Sequence, residues 1–69
     1  MDSEVKINTE FIKLDQLLKF SGAVAIGSEA KELIAAGSVK VNGEVCTMRG
    51  KKIRPGYTIN VYNKDITVK

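Results

Sequence analysis

The 69 residues contain no histidine and no tryptophan, with a single cysteine and a single proline. Each shortage excludes something. Without histidine, Cys46 has no imidazole to activate it as a nucleophile. A lone cysteine closes no internal disulfide, so Cys46 reads as a small apolar strand residue, and a reducing cytoplasm is the expected compartment. The aromatics are Phe11, Phe20, Tyr57 and Tyr62. They are too few for a single-strand binder built on stacking platforms, and the two phenylalanines are expected in the core. No apolar run approaches the length that spans a bilayer. The opening MDSEVKINTE is acidic and polar where a secretory leader would be basic and then apolar. The expectation is a soluble, complete protein with no membrane partner. Catalytic patterns are missing too: there is no Ser/His/Asp set, no phosphate-cradling glycine loop and no metal-ligand cluster. The chain is therefore not expected to be an enzyme or to need a metal or cofactor.

What is present is charge, unevenly placed. The net charge is +3. Residues 1–30 hold three lysines against five carboxylates, whereas residues 31–69 hold eight basic residues against three. Four of those eight, Arg49, Lys51, Lys52 and Arg54, fall within six positions. A basic cluster of this kind suits a polyanion, although a solvated loop has the same composition.

The length allows one domain, spanning residues 1–69, with an economical core. Its most informative stretch is Gly37 to Glu44. Gly37 can take the left-handed conformation that closes a helix, Val39 and Val41 alternate with polar residues as in a half-buried strand, and Asn42-Gly43 suits a type I′ hairpin turn. Upstream, Val5 and Ile7 suggest a short strand near residues 4–8. Leu14, Leu17 and Leu18 then mark a helix ending at Ser21-Gly22, with Asp15 and Lys19 paired across one turn. Val24 or Ile26 is expected to tuck inward. Ser28 is the expected N-cap of a second helix carrying Ala30, Leu33 and Ile34 to the core and closed by Gly37. Neither helix is stable alone, so the two must pack together.

Downstream of the turn, Glu44 to Met48 should return with Val45 facing the valines, and Arg49 to Lys52 should form a basic loop. Ile53 re-enters the core and Pro55-Gly56 fits a type II turn. Ile59 and Val61 form a further strand, Asn63-Lys64-Asp65 turns the chain, and Ile66 and Val68 end it as an edge strand. The prediction is an α+β fold: a leading strand, two packed short helices, then a small antiparallel meander.

Phosphate contacts draw on lysine, arginine, hydroxyls and helix N-termini. The candidate binding set is Lys13, Ser28 with the start of the second helix, Lys31, Lys40, Arg49, Lys51 and Lys52. With few aromatics, structured RNA read through backbone and shape fits this set better than a single strand.

The run IKLDQLLKFSG…SEAKELIAAGSVKVNGE…KKIRPG resembles the S-four RNA-binding domain, named for small-subunit ribosomal protein four. It is most similar to the small stand-alone, YaaA-like bacterial members. The resemblance runs from about Ile12 to Ile59. It is carried by Leu14-Asp15, Ala30-Lys31, Leu33-Ile34, Gly37, Val39 and Val41-Asn42-Gly43, in order and at family spacing. It implies the alpha-L RNA-binding motif fold, two helices followed by a small twisted sheet. It also implies binding of structured RNA, often ribosomal RNA, along the helix pair and first hairpin, with a role in ribosome subunit assembly. Lys13 stands at the family's basic position before Leu14-Asp15, Ser28 opens the second helix, Lys31 follows Ala30, and Asn42-Gly43 is the hairpin tip. The chain departs from the pattern with Lys13 and Lys31 where arginine is common, and with Glu29 where a basic residue often follows the hydroxyl. The expected partners are structured RNA and the ribosomal subunit, met by a monomer. Alternatives are a protein-interaction module on the same fold, or a regulatory piece of an RNA-modifying enzyme.

Overall fold

The computed structural model describes residues 3–69. Two helices lie against a five-stranded sheet, with a separate two-stranded piece at the start of the first helix. In chain order the elements are β1 (Ser3–Val5), β2 (Ile12–Lys13), α1 (Leu14–Phe20), α2 (Gly27–Ala35), β3 (Val39–Val41), β4 (Glu44–Val45), β5 (Lys52–Ile53), β6 (Thr58–Val61) and β7 (Lys64–Val68).

The apolar stripes behave as helical periodicity requires. Leu14, Leu17 and Leu18 of α1 and Ala30 and Ile34 of α2 are buried, and the two helices pack on each other. Leu33 is only half-buried, at the margin of the stripe. Val24 turns in, whereas Ile26 stays exposed. Opposite the helices, the sheet alternates inward and outward with period two, so cross-strand pairs build the floor of the core. Val39 lies opposite Val61, Val41 opposite Ile59, Ile59 opposite Ile66, and Val5 opposite Val68. Ile53 completes the core from the smaller sheet.

The connections explain the handover from helix to sheet. Beyond α2, Gly37 adopts φ 76°; its N–H donates to the carbonyl of Ile34 (3.1 Å) and the N–H of Ser38 donates to that of Leu33 (3.1 Å). This is a Schellman closure, and it aims the chain directly into β3. Asn42 and Gly43 both have positive φ (52° and 88°) in the type I′ turn joining β3 to β4. At Pro55-Gly56 the N–H of Tyr57 closes onto the carbonyl of Arg54 (3.1 Å), with Gly56 at φ 97°, the type II arrangement.

Several expectations need correction. The sheet order is β1-β7-β6-β3-β4, mixed rather than antiparallel, because β1 runs parallel to β7. Two strands rather than one precede the helix pair, so the sheets are built from both sides of it in sequence, and β7 is an interior strand, not an edge. The chain is not a meander after the hairpin: β6 returns to β3, and β5 leaves the main sheet to pair with β2. A two-residue turn at Asn42-Gly43 sets Glu44 opposite Val41 and Val45 opposite Lys40. Val45 therefore shares the outward face with Lys40, 57% exposed, and Cys46 is the residue that turns half-inward. The last turn is Tyr62-Asn63, both at positive φ, so Lys64 and Asp65 already belong to β7. Helix α2 starts at Gly27 with Ile26 as its N-cap, placing Ser28 inside the first turn without a capping bond. A first turn tolerates this because its N–H groups have no intrahelical acceptor in any case. Asp15 does not pair with Lys19; its carboxylate accepts the N–H of Gln16 at 2.8 Å, satisfying one of those first-turn donors. Phe20 is not core at all but 67% exposed, and Phe11 is half-buried.

Candidate nucleic-acid interface

The site is built where the two-stranded sheet meets the start of α1. Lys13 precedes the helix in extended conformation and offers no side-chain cap. The first N–H groups of a helix need acceptors from elsewhere. Here the loop before β5 supplies them: Leu14 N–H donates to the carbonyl of Lys51 (2.9 Å), and Asp15 N–H to that of Arg49 (3.2 Å). The loop closes on itself through Lys51 N–H to the Met48 carbonyl (3.1 Å). Pairing then continues along the strands, with Lys52 opposite Lys13 and Ile53 opposite Ile12. The buried Ile53 anchors the loop below, leaving Arg49, Lys51 and Lys52 exposed above it. Residues far apart in sequence are thus fastened into one basic junction by main-chain bonds.

Its electrostatics are unbalanced. Lysines directly opposite each other on antiparallel strands repel. The ammonium of Lys52 sits 5.0 Å from the centroid of the Phe11 ring, whose negative face offsets part of its charge. The one ion pair among the described residues joins Glu4 and Lys69, across β1 and the chain end. Lys13, Arg49, Lys51 and Lys52 therefore form no salt bridge, and Asp15 keeps its carboxylate on its own helix.

The remaining candidates divide. Asn42 clamps β3 to β6: its N–H donates to the Thr58 carbonyl (2.8 Å) and its side-chain oxygen accepts the Thr58 N–H (2.9 Å). Its amide nitrogen remains available. Asn42 and Lys51 both line an open cleft of about 430 Å³ that also holds Tyr57. Lys40 projects from the outer sheet face between Val45 and Asn60. Ser28 and Lys31 lie exposed on α2, three residues apart and so on one side of it. Among the described residues, no hydrogen bond, strand pair or shared cleft joins Lys40, Ser28 or Lys31 to the junction.

Phe11 and Phe20, expected in the core, also belong here. A second cleft of about 330 Å³ runs along α1, lined by Lys6, Phe11, Lys13, Gln16 and Phe20 among others. Helical arithmetic contains the signal: at about 100° per residue, Phe20 lies roughly 110° from the centre of the Leu14-Leu17-Leu18 stripe, on the flank shared by Lys13 and Gln16.

The comparisons agree with this architecture. The model of the S4 domain matches residues 5–69. A Bacillus subtilis protein named "Probable ribosome maturation protein RlbA" is 33% identical over 61 residues, covering 88% of this chain and 86% of its own. An Escherichia coli protein named "Putative RNA-binding protein YbcJ" is 39% identical over 57 residues, covering 83% and 81%. With its helix pair, its Schellman handover at Gly37 and a family match over nearly its whole length, the chain belongs to the S4 domain family.

Proposed function

We propose that this chain acts as a single S4 domain that binds structured RNA, ribosomal RNA in particular, as a monomer in the cytoplasm, and that it serves ribosomal subunit assembly. One observation carries the reading: Lys13 and Lys52 are set opposite each other, with Arg49 and Lys51 tied to the same helix start and, among the described residues, no carboxylate bridged to any of them. Concentrating like charge is unfavourable for the free protein and becomes useful when a polyanion arrives. Phosphates of an RNA groove meet this junction. Lys31 and Ser28 on α2, with Lys40 and Asn42 on the hairpin, extend the contact to neighbouring strands of the RNA. Rigid spacing of cations on main-chain-bonded elements selects a folded backbone shape over a flexible strand. The names of the two relatives point the same way.

The test is binding to deproteinised ribosomal RNA across a salt series. Each phosphate contact contributes about 0.7–0.9 to the log–log slope. Lys13→Glu combined with Lys51→Glu should abolish binding and leave the fold intact, since both side chains are exposed. Lys19→Glu combined with Lys64→Glu, at positions that line neither cleft, is the control of equal charge change. Equal weakening by both pairs would mean that only net charge matters. No effect from either would leave the protein-interaction module as the better reading.

A further inference from the structure

Resting on the RNA-binding reading, we infer that the groove along α1 is a subsite for one unpaired nucleotide, whose base stacks on Phe20 and whose flanking phosphates meet Lys6 and Lys13. Phe20 ends α1 with 67% of its surface in solvent, although a phenyl ring is ordinarily among the first groups to be buried. It is not isolated. Phe11 lines the same groove, with the Lys52 ammonium over its ring. The hydroxyl of Thr9 donates to the carbonyl of Phe11 (2.9 Å), fixing the turn that carries the ring. Among the described residues, the only charged ones lining the groove are Lys6 and Lys13, with no carboxylate. Asn8 and Gln16 add amides able both to donate to and accept from a base edge.

An exposed ring, cations without acids and adaptable amides together match a nucleotide better than a protein side chain. The volume of about 330 Å³ sits at the small end of ligand sites, enough for one nucleotide and too little for a duplex. Bases inside a duplex are stacked on one another, so only a bulged, looped or terminal base can reach the ring. Lys13 lines the groove and also belongs to the basic junction. The stacked base and the phosphates at the junction can then belong to one continuous RNA strand. Phe20 selects the kind of RNA, and the lysines supply attraction.

The chain has no tryptophan, so Phe20→Trp introduces a single indole that reports on the groove. RNA-induced quenching of that indole is expected with deproteinised ribosomal RNA and not with a perfectly paired RNA duplex. Phe20→Leu keeps an apolar side chain without a π-face. It should weaken binding to ribosomal RNA roughly 5- to 150-fold, the equivalent of ~1–3 kcal/mol at about 1.4 kcal/mol per decade, with the urea midpoint unchanged. If wild type binds ribosomal RNA but Phe20→Leu binds equally well and the indole is silent, the subsite is refuted while the RNA-binding reading stands. Quenching of equal size by the paired duplex refutes it too. If the indole responds to RNA-free ribosomal proteins instead, the groove takes a protein and the inference falls. If wild type binds no ribosomal RNA at any salt concentration, both readings fail together.

Discussion

Replacing Lys13 with Gln removes one charge from an opposed pair while keeping the first two methylenes of the stem and a polar end. Lys13 and Lys52 occupy directly facing positions on β2 and β5, both are exposed, and neither has a carboxylate partner among the described residues. Cross-strand pairs are worth about 0.2–1 kcal/mol, and like charges act with the opposite sign. Both ammonium groups reach water, so the lower half of that range applies. Lys13 is the better member to change, because Lys52 also lies over Phe11 and its loss would remove a favourable contact. For a domain of this size, 1 kcal/mol corresponds to about 4–8 °C, so Lys13→Gln should raise Tm by about 1–4 °C at low ionic strength. In 1 M salt, where the screening length is about 3 Å, the gain should vanish. The same substitution should weaken binding to ribosomal RNA and lower the log–log salt slope by about 0.7–0.9. Circular-dichroism melts in 10 mM and 1 M salt measure the first effect, and a binding series measures the second. A fall in Tm at low salt, or a rise of the same size in 1 M salt, would refute the electrostatic account of the junction.

The other predictions concern the frame that holds it. Gly43→Val should cost roughly 1–3 kcal/mol in urea unfolding; nothing lies within 4 Å of the added Cβ, so the penalty comes from the backbone at φ 88° alone. Ile59→Ala should lower stability by about 2–5 kcal/mol, because Ile59 is fully buried between β3 and β7. Leu33→Ala should cost less, under about 2 kcal/mol, since Leu33 is only half-buried and its site stays open to water. Lys69→Ala breaks the exposed pair with Glu4 and should change the urea midpoint by no more than about 1 kcal/mol equivalent.

Local signals in the sequence were readable where one residue type has one conformational meaning. Gly37, Asn42-Gly43 and Pro55-Gly56 each produce the turn their chemistry requires, and the leucine stripe locates α1. Long-range pairing was not readable in the same way. The strands β2 and β5 have two residues each, too short to show any period, yet their pairing assembles the basic junction. The parallel union of β1 with β7 joins opposite ends of the chain, and no neighbouring residue announces it. Tyr62 takes a left-handed conformation that its side chain does not favour, so the last turn sits earlier than asparagine and aspartate suggested. Val45 is a different case. The two-residue turn already implied its outward register, and arithmetic rather than structure would have placed it beside Lys40. For the site, the basic residues were legible as a cluster, but their attachment to α1 through carbonyls of Arg49 and Lys51 leaves no trace in side-chain identity.

The central claim is that the junction of α1 with the loop before β5 is the surface that meets RNA. Ultraviolet crosslinking of the chain to deproteinised ribosomal RNA, followed by nuclease digestion and peptide mapping, tests it without any substitution. Crosslinked nucleotides should concentrate on peptides containing Lys13 and the Arg49–Lys52 segment, and be rare around Lys64 and Asp65 at the start of β7. Crosslinks concentrated at the start of β7, or spread evenly over every basic peptide, would contradict it.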